Sequence, residues 1–322
     1  YTSLLPLMQS TAGLTEVGGG WLATINYLGY LVGVLIVSKL NNIKHKYVLY
    51  RLYLVLAVLT TAAMALTTDI YLWAILRFVS GICTSAGFII ASGLILKWLV
   101  HQGERGELGI HFSGIGLSIF IAAALVEVLL KLSVSWQYQW IYLSLMAVVF
   151  AIPAWIWMPD PARNMQNLLV TKVVGHPPSK TFTWLIMAAY FCAGYGYVVS
   201  ATFIVDIVEG LPALKGHGQQ VFIILSDNLL VIAISAILFG ATFVAIVSLV
   251  LTMAGHFYPS NPAKFMGKMT LTYGVAQIIA PASTGLLAAW LGNYNFGLYL
   301  SAGTMLIGSL LVTYLIKRDE NP

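Results

Sequence analysis

Long apolar segments separated by short polar breaks make up nearly all of this 322-residue chain. A short apolar stretch at residues 1–9 is followed by longer segments at residues 20–38, 47–66, 70–99, 108–130, 140–158, 182–208, 229–257, 265–291 and 296–316. A helix that crosses a bilayer needs about 20 apolar residues, and these segments have that length. Inside hydrocarbon the backbone must satisfy its own hydrogen bonds, so each segment is predicted to be helical. The pattern therefore predicts an all-α membrane protein.

The composition excludes several classes of protein. Hydrophobic residues make up 59% of the chain and charged residues 8%, whereas a soluble domain has about a quarter charged residues. So few charges cannot cover a surface in water, which excludes soluble enzymes and nucleic-acid-binding proteins. Cys83 and Cys192 lie far apart within apolar segments, and we expect both to be buried and unpaired.

The positive charges indicate which side of the membrane each loop occupies. Of the 16 Lys and Arg residues, 13 fall in alternate loops or at the adjoining ends of segments. Lys131 and Lys215 lie on the opposite side, and Arg77 lies within a segment. Because cytoplasmic loops carry the excess of Lys and Arg, both termini and the polar stretch 159–181 are predicted to be cytoplasmic. The net charge of +5 thus reflects topology.

The two halves of the chain resemble each other at a nearly constant offset. Asp69 and Asp227 precede corresponding segments and lie 158 residues apart, and the Tyr-Leu-Ser sequence at 142–144 recurs 157 residues later at 299–301. A duplicated unit of six helices, an arrangement common in transporters, explains this pattern. The predicted divisions are an N-terminal bundle at 1–158, a cytoplasmic linker at 159–181 and a C-terminal bundle at 182–322.

The second half is too short for six helices. The first spans of the two halves end near Gln9 and Glu209, about 200 residues apart, so the second half lacks about 42 residues. That is about the length of two membrane helices. We therefore predict that helices 8 and 9 are absent, with a junction within 219–226, and that helix 1 is truncated. The alternative is a chain with ten helices.

Several short motifs resemble one transporter family. Arg77 and Gly81 fit the Arg-x-x-x-Gly signature of the fourth helix in the major facilitator superfamily. Residues 1–8, 191–197 and 201–206 are similar to helices 1 and 7 of YbfB-like bacterial transporters. The resemblance implies the major facilitator fold, with two six-helix bundles related by a pseudo-two-fold axis. It also implies a solute site between the bundles and transport by alternating access.

The loop after helix 2 also takes part in gating in that superfamily, where it reads Gly-x-Leu-x-Asp-x-x-Gly-Arg-Arg. Here the loop, residues 38–46, is degenerate, and Asn42 replaces the acidic residue. The residues predicted for gating or coupling are Arg77, Gly81, Asn42, Lys46, His111 and Asp206.

Arg77 has the clearest chemical signal among the candidates. It lies eight residues after Asp69, which is about 12 Å along a helix. A guanidinium at that depth is costly unless it is paired or faces a wet cavity. Arginine does not release its proton, so Arg77 would attract an anionic substrate or change the proton affinity of a neighbouring carboxylate. The alternative is a structural arginine that bonds helix carbonyls or snorkels outward.

Polar side chains at interior depth are predicted to line the cavity between the halves. They are Asn26, Tyr27, Tyr30, Ser85, Ser118, Tyr190, Tyr195, Tyr273 and Gln277. Such groups suit a moderately polar organic solute. The alternative for each single residue is a hydrogen bond between helices.

Proton coupling requires a titratable group. Asp206 near the outer end of the seventh helix and His111 near the start of the fifth are the candidates, and each has a structural alternative. Glu127 lies four residues before Lys131, and this spacing predicts a surface ion pair.

Together these observations predict a secondary active transporter that moves a small organic solute across the bacterial inner membrane, coupled to protons. The alternatives are a multidrug-type efflux pump and a membrane sensor or scaffold that does not transport. The sequence lacks metalloprotease and serine-hydrolase motifs, so we do not expect an enzyme. We expect no cofactor, metal or nucleic acid. The protein is expected to be a monomer whose partners are the solute, protons and membrane lipid.

Overall fold

The structure, a computed structural model, describes residues 1–104, 107–160, 178–209, 229–258, 261–291 and 295–319, with the backbone alone in 200–209 and 229–241. Within these ranges the chain forms ten α-helices and no strand, which confirms the predicted all-α fold. The helices are α1 (Leu5–Thr11), α2 (Glu16–Lys39), α3 (Ile43–Ala63), α4 (Ile70–His101), α5 (Gly109–Lys131), α6 (Trp136–Trp157), α7 (Lys180–Glu209), α8 (Leu229–Phe257), α9 (Pro262–Leu291) and α10 (Asn295–Asp319).

Seven stretches of the described residues are long and apolar enough to cross a membrane. They are Gly18–Lys39, Ile43–Leu66, Ile70–His101, Gly109–Lys131, Trp136–Trp157, Lys180–Val199 and Phe296–Lys317. Each agrees closely with an apolar segment in the sequence, because a run of this length has no other stable conformation in lipid. The protein is a multi-pass membrane protein.

Polar side chains set the starts of several helices. Asn42 caps α3 by accepting hydrogen bonds from the backbone nitrogens of Lys44 and His45, at 2.9 and 3.4 Å. Asp69 caps α4 in the same way. The Asn42 cap places polar residues in the first turn of α3, so this helix begins four residues before the apolar segment at 47–66.

Helix α6 also begins earlier than the apolar segment at 140–158. Its first turn contains Gln139, which is fully buried and donates from Nε2 to the carbonyl of Val134, at 2.9 Å. The bond closes the short connection from α5. Because this buried residue is polar, the hydrophobic pattern alone places the start of α6 too late in the sequence.

The chain divides into two compact units. The first contains Tyr1–His176 and Leu251–Leu271, and the second contains Pro177–Val250 and Thr272–Pro322. The boundaries at 158 and 181 stay predictions, and so does the symmetry of the bundles. The predicted junction at 219–226 lies outside the described residues.

The core of the first unit contains three tryptophans. The rings of Trp73 and Trp136 meet edge to face at 5.8 Å, and Trp140 packs in the same cluster with Leu4 and Met8. The Trp73 indole donates to the carbonyl of Met64, at 3.1 Å. This cluster fixes the stretch 1–11 against α4 and α6. Cys83 and Cys192 are buried and free, as predicted.

Candidate functional site

Helices α2 and α4 approach so closely that their backbones touch. A Cβ added to Gly29 would overlap the carbonyl of Phe78, and one added to Gly81 would overlap the carbonyl of Asn26. Asn26 Nδ2 donates to the carbonyl of Arg77 at 2.7 Å. We call this contact the α2–α4 seam. Only glycine permits it, as in other membrane helix pairs that pack through small residues.

The seam engages further predicted cavity residues. Ser85 is fully buried, and its hydroxyl donates to the carbonyl of Tyr30 at 2.7 Å. In this conformation Asn26 and Ser85 therefore make the hydrogen bonds between helices that were the alternative interpretation for each of them. Ser118 is exposed on α5 and donates to the carbonyl of Ile115 in its own helix.

Arg77 lies beside the seam, one turn before Gly81. Its guanidinium carbon is 4.3 Å from the centroid of the Tyr1 ring, a cation–π distance. The Tyr1 hydroxyl donates to the carbonyl of Gly19 at 2.8 Å, which fixes the ring under the guanidinium. Tyr27 is near enough to interact with the Arg77 charge electrostatically.

The Arg77 guanidinium has donors to spare. Its Nε is buried without a hydrogen-bond partner, and no carboxylate of the described residues pairs with it. A guanidinium carries its five N–H donors around the edge of its plane. An anionic atom brought to that edge would gain charge-assisted hydrogen bonds.

A polar cluster joins the loop after α2 to the start of α9 within the first unit. Lys46 is 6% exposed, and its Nζ donates to Oδ1 of Asn261. Asn261 Nδ2 in turn donates to Oδ1 of Asn41 at 3.1 Å. A buried ammonium is thus held by one neutral amide, and a second amide holds the first. We call these three residues the lysine–asparagine cluster.

His111 lies between α4 and α5. Its Nε2 is 3.0 Å from the hydroxyl of Ser92, and its ring stacks on Phe88. Ser92 also donates to the carbonyl of Phe88, so it can accept a hydrogen bond from Nε2. The histidine is therefore held by one hydroxyl in an otherwise aromatic setting.

The remaining charged candidates differ in outcome. Glu127 and Lys131 form an ion pair at 3.3 Å, with side chains 60% and 74% exposed, which confirms the predicted surface pair. Asp206 lies on α7, and its side chain lies outside the described residues.

In the second unit tyrosines link α7 to α9. The rings of Tyr190 and Tyr273 are 5.0 Å apart, and Gly194 leaves room for the Tyr273 ring. Tyr195 shares a hydrogen bond of 2.7 Å with the hydroxyl of Ser283. Gln277 lies one turn after Tyr273 and is partly buried.

A cavity of about 290 Å³ opens within the second unit. Tyr273 is the predicted cavity residue that lines it. The other lining residues were not predicted: Ala193, Gly196, Tyr197, Thr242, Ile246, Leu298, Ser301, Ala302 and Met305. The lining is largely apolar and aromatic, with two hydroxyl-bearing aliphatic side chains. Across the described part of the chain, no group of three His, Cys, Asp or Glu side chains could hold a metal ion.

The sequence profile described as "Uncharacterised MFS-type transporter YbfB" matches residues 1–222 and 213–313. The chain belongs to this family of major facilitator transporters. The resemblance seen in the short motifs is therefore confirmed.

A relative adds support over part of the length. "Uncharacterized transporter mfc1" of the fission yeast Schizosaccharomyces pombe is 31% identical over 128 residues, or 39% of this chain. The chain covers 26% of that relative's length.

The two segments matched by the family profile overlap at 213–222. This overlap shares residues 219–222 with the predicted junction at 219–226, where helices 8 and 9 of a major facilitator transporter would be expected. The absence of those two helices stays a prediction.

Sequence reasoning missed Asn261, which lies 215 residues from Lys46. One local signal was present, because Asn261 stands immediately before Pro262, and this order is typical of a helix start. The signal identifies a cap position but not the lysine that the asparagine would meet.

Proposed function

We propose that the chain is a secondary active transporter that carries a small organic solute across the bacterial inner membrane. In this proposal it works by alternating access, is coupled to protons and has cytoplasmic termini. Membership of a transporter family supports the general activity. The distribution of Lys and Arg supports the orientation.

The proposal rests on the surroundings of the Arg77 guanidinium. It lies deep in α4, stacked on Tyr1, with a buried Nε and no carboxylate partner among the described residues. A buried cation in a membrane span usually serves a substrate or an ion pathway. The proposed solute therefore carries a negative charge, which the edge of Arg77 would bind.

Two other groups have roles in the proposal. The lysine–asparagine cluster would form in one state of the transport cycle and break in the other, because one neutral amide holds the ammonium and no described carboxylate pairs with it. His111 would exchange the coupled proton, and Ser92 would keep its ring in place. Asp206 stays a second candidate for the proton.

The cavity in the second unit favours one other function. Its lining includes Tyr197, Tyr273, Leu298 and Met305, which suit a neutral aromatic molecule better than an anion. A multidrug-type efflux pump is therefore the second candidate.

Flux into liposomes distinguishes the two functions. Purified protein would be tested with a panel of organic carboxylates and a panel of neutral aromatic solutes, with and without an imposed pH gradient. For the wild type we expect gradient-dependent flux of a carboxylate. Loss of charge-assisted hydrogen bonds in Arg77→Ala should reduce that flux about 100-fold.

Lys131→Ala is the matched control, because it removes a positive charge from an exposed ion pair. Its flux should equal that of the wild type. Normal carboxylate flux in Arg77→Ala would remove Arg77 from the mechanism. Flux confined to neutral aromatic solutes would favour the efflux pump, and no flux across both panels would favour a sensor.

A further inference from the structure

Arg51 lies between two aromatic rings on the surface of the first unit. Its guanidinium carbon is 4.6 Å from the ring centroid of Tyr47, one turn earlier on α3, and 4.6 Å from that of Trp155 on α6. Both distances are within the range of cation–π attraction. A guanidinium carries its N–H donors around the edge of its plane.

At least one N–H donor of Arg51 lacks a partner in the described part of the chain. The Nε of Arg51 is buried without a hydrogen bond, and none of the described carboxylates pairs with the guanidinium. A guanidinium carries five N–H donors and no acceptor, so a ligand for this site must supply acceptor atoms, and anionic oxygen forms the strongest hydrogen bonds with it.

The surroundings of Arg51 are those of a lipid-facing surface. Val48 and Leu52 on α3 are exposed, and so are Ile152 and Ile156 on α6. In helices that cross a bilayer, exposed apolar side chains of this kind contact acyl chains. The anion at Arg51 must therefore be compatible with hydrocarbon immediately beside it.

The site lies near the end of α6, whereas on α3 Arg51 is the ninth residue. Trp155 is in the last turn of α6, which ends at Trp157. The hydroxyl of Tyr50 donates to the carbonyl of Ala154 at 3.3 Å, which joins α3 to α6 at this level. Tyr, Trp and Arg are typical of the level where lipid headgroups meet hydrocarbon. The distribution of Lys and Arg predicts that this end is cytoplasmic.

We propose that Arg51, held between Tyr47 and Trp155, binds the phosphate of an anionic phospholipid in the cytoplasmic leaflet. The edge of the guanidinium matches two phosphate oxygens, and lysine lacks this planar geometry. The acyl chains would lie along Val48, Leu52 and Ile152. The site is separate from Arg77 and does not depend on which solute is carried.

Lipid titration of the purified full chain tests the site. Native mass spectrometry would give apparent dissociation constants for dioleoylphosphatidylglycerol and dioleoylphosphatidylcholine, which share their acyl chains and differ in charge. Wild type should prefer phosphatidylglycerol. Arg51→Gln should bind it about tenfold more weakly, because charge-assisted hydrogen bonds are lost. Lys131→Gln, the control for loss of a surface charge, should bind as wild type does.

Two further variants keep the test valid should Arg51→Gln fail to fold. Arg51→Lys keeps the charge without the planar group, and Trp155→Leu removes one ring. Each should weaken phosphatidylglycerol binding by less than Arg51→Gln does. Affinity equal to that of the wild type in both variants would overturn the proposal.

Other results would also overturn it. Arg51→Gln with unchanged preference would show that the charge is not used. An equal loss in Lys131→Gln would indicate a general effect of net charge. Thermal unfolding in detergent adds the last comparison: inorganic phosphate should raise the Tm of the wild type less than phosphatidylglycerol does. An equal rise would identify a free anion as the ligand.

Discussion

Arg77 and Arg51 have similar immediate chemistry in different surroundings. The Arg77 guanidinium lies 4.3 Å from one aromatic ring and that of Arg51 lies 4.6 Å from each of two. Each has a buried Nε without a partner among the described residues. Arg77 lies beside the α2–α4 seam, whereas Arg51 lies beside exposed apolar side chains. The rings position both groups, so the surroundings decide which anion each can meet. A solute suits the first site and a lipid phosphate the second.

The largest expected effect separates the two arginines by disturbing the seam. Gly81→Ala places a Cβ against the carbonyl of Asn26. The overpacking should lower the stability by about 1–3 kcal/mol. It should also reduce the carboxylate flux that depends on Arg77, whereas phosphatidylglycerol binding at Arg51 should persist. Thermal unfolding, flux and lipid titration measure the three quantities.

Gly114→Ala is the matched control for that variant. A Cβ at Gly114 meets nothing within 4 Å, so the change should be neutral or should stabilise the helix by up to about 1 kcal/mol. Equal Tm values for the two variants would contradict the tight contact between α2 and α4.

Exchanging arginine for lysine at each site sharpens the comparison further. Arg77→Lys keeps the charge and loses the planar edge, so carboxylate flux should fall about tenfold. Arg51→Lys should leave flux in phosphatidylcholine liposomes within about twofold of the wild type, because its proposed lipid ligand is absent there. Equal losses of flux would mean that the two arginines serve one function.

Lys46 extends the comparison to a buried cation that has partners. Lys46→Met, Asn261→Leu and the double variant form a cycle whose coupling should be about 1–2 kcal/mol, since a neutral amide accepts from an ammonium. The measurement is thermal unfolding of the purified protein. Lys44→Met removes an exposed charge from the same helix end and should have almost no effect. A coupling of zero would exclude the lysine–asparagine cluster as a contact.

The smallest expected effect concerns the exposed pair of Glu127 and Lys131. Glu127→Gln and Lys131→Gln should each change the stability by less than about 0.5 kcal/mol, because both side chains are largely in solvent. Added salt should reduce the effect further. Thermal unfolding at low and high salt checks this. A change in stability above about 1 kcal/mol would contradict the exposed position of the pair.

Much of the fold could be predicted because hydrocarbon leaves the backbone so few choices. Each long apolar segment is a helix, and errors are confined to ends such as that of α6, where Gln139 is polar and buried. The burial of Cys83 and Cys192 and the surface position of Glu127 also follow from local sequence. The junction at 219–226 lies outside the described residues.

The candidate sites were only partly predictable. The position of Arg77 within an apolar segment is visible in the sequence alone. Its contact with the Tyr1 ring depends on how the stretch 1–11 packs and is not visible there. In the sequence, Arg51 is one of the 13 positive charges that indicate topology, and nothing else distinguishes it. Its neighbour Tyr47 is visible one turn away, yet Trp155 reaches it only because α3 packs on α6. Long-range partners of this kind have no local sequence signal.

The α2–α4 seam has a mechanical consequence. Where two backbones touch directly, there are few side chains whose rotamers could change to let one helix slide past the other. We therefore expect α2 and α4 to move together as one rigid body in any rearrangement of the protein. The guanidinium of Arg77 would then stay fixed relative to Asn26, and access to that charge would change through movement of the elements around it.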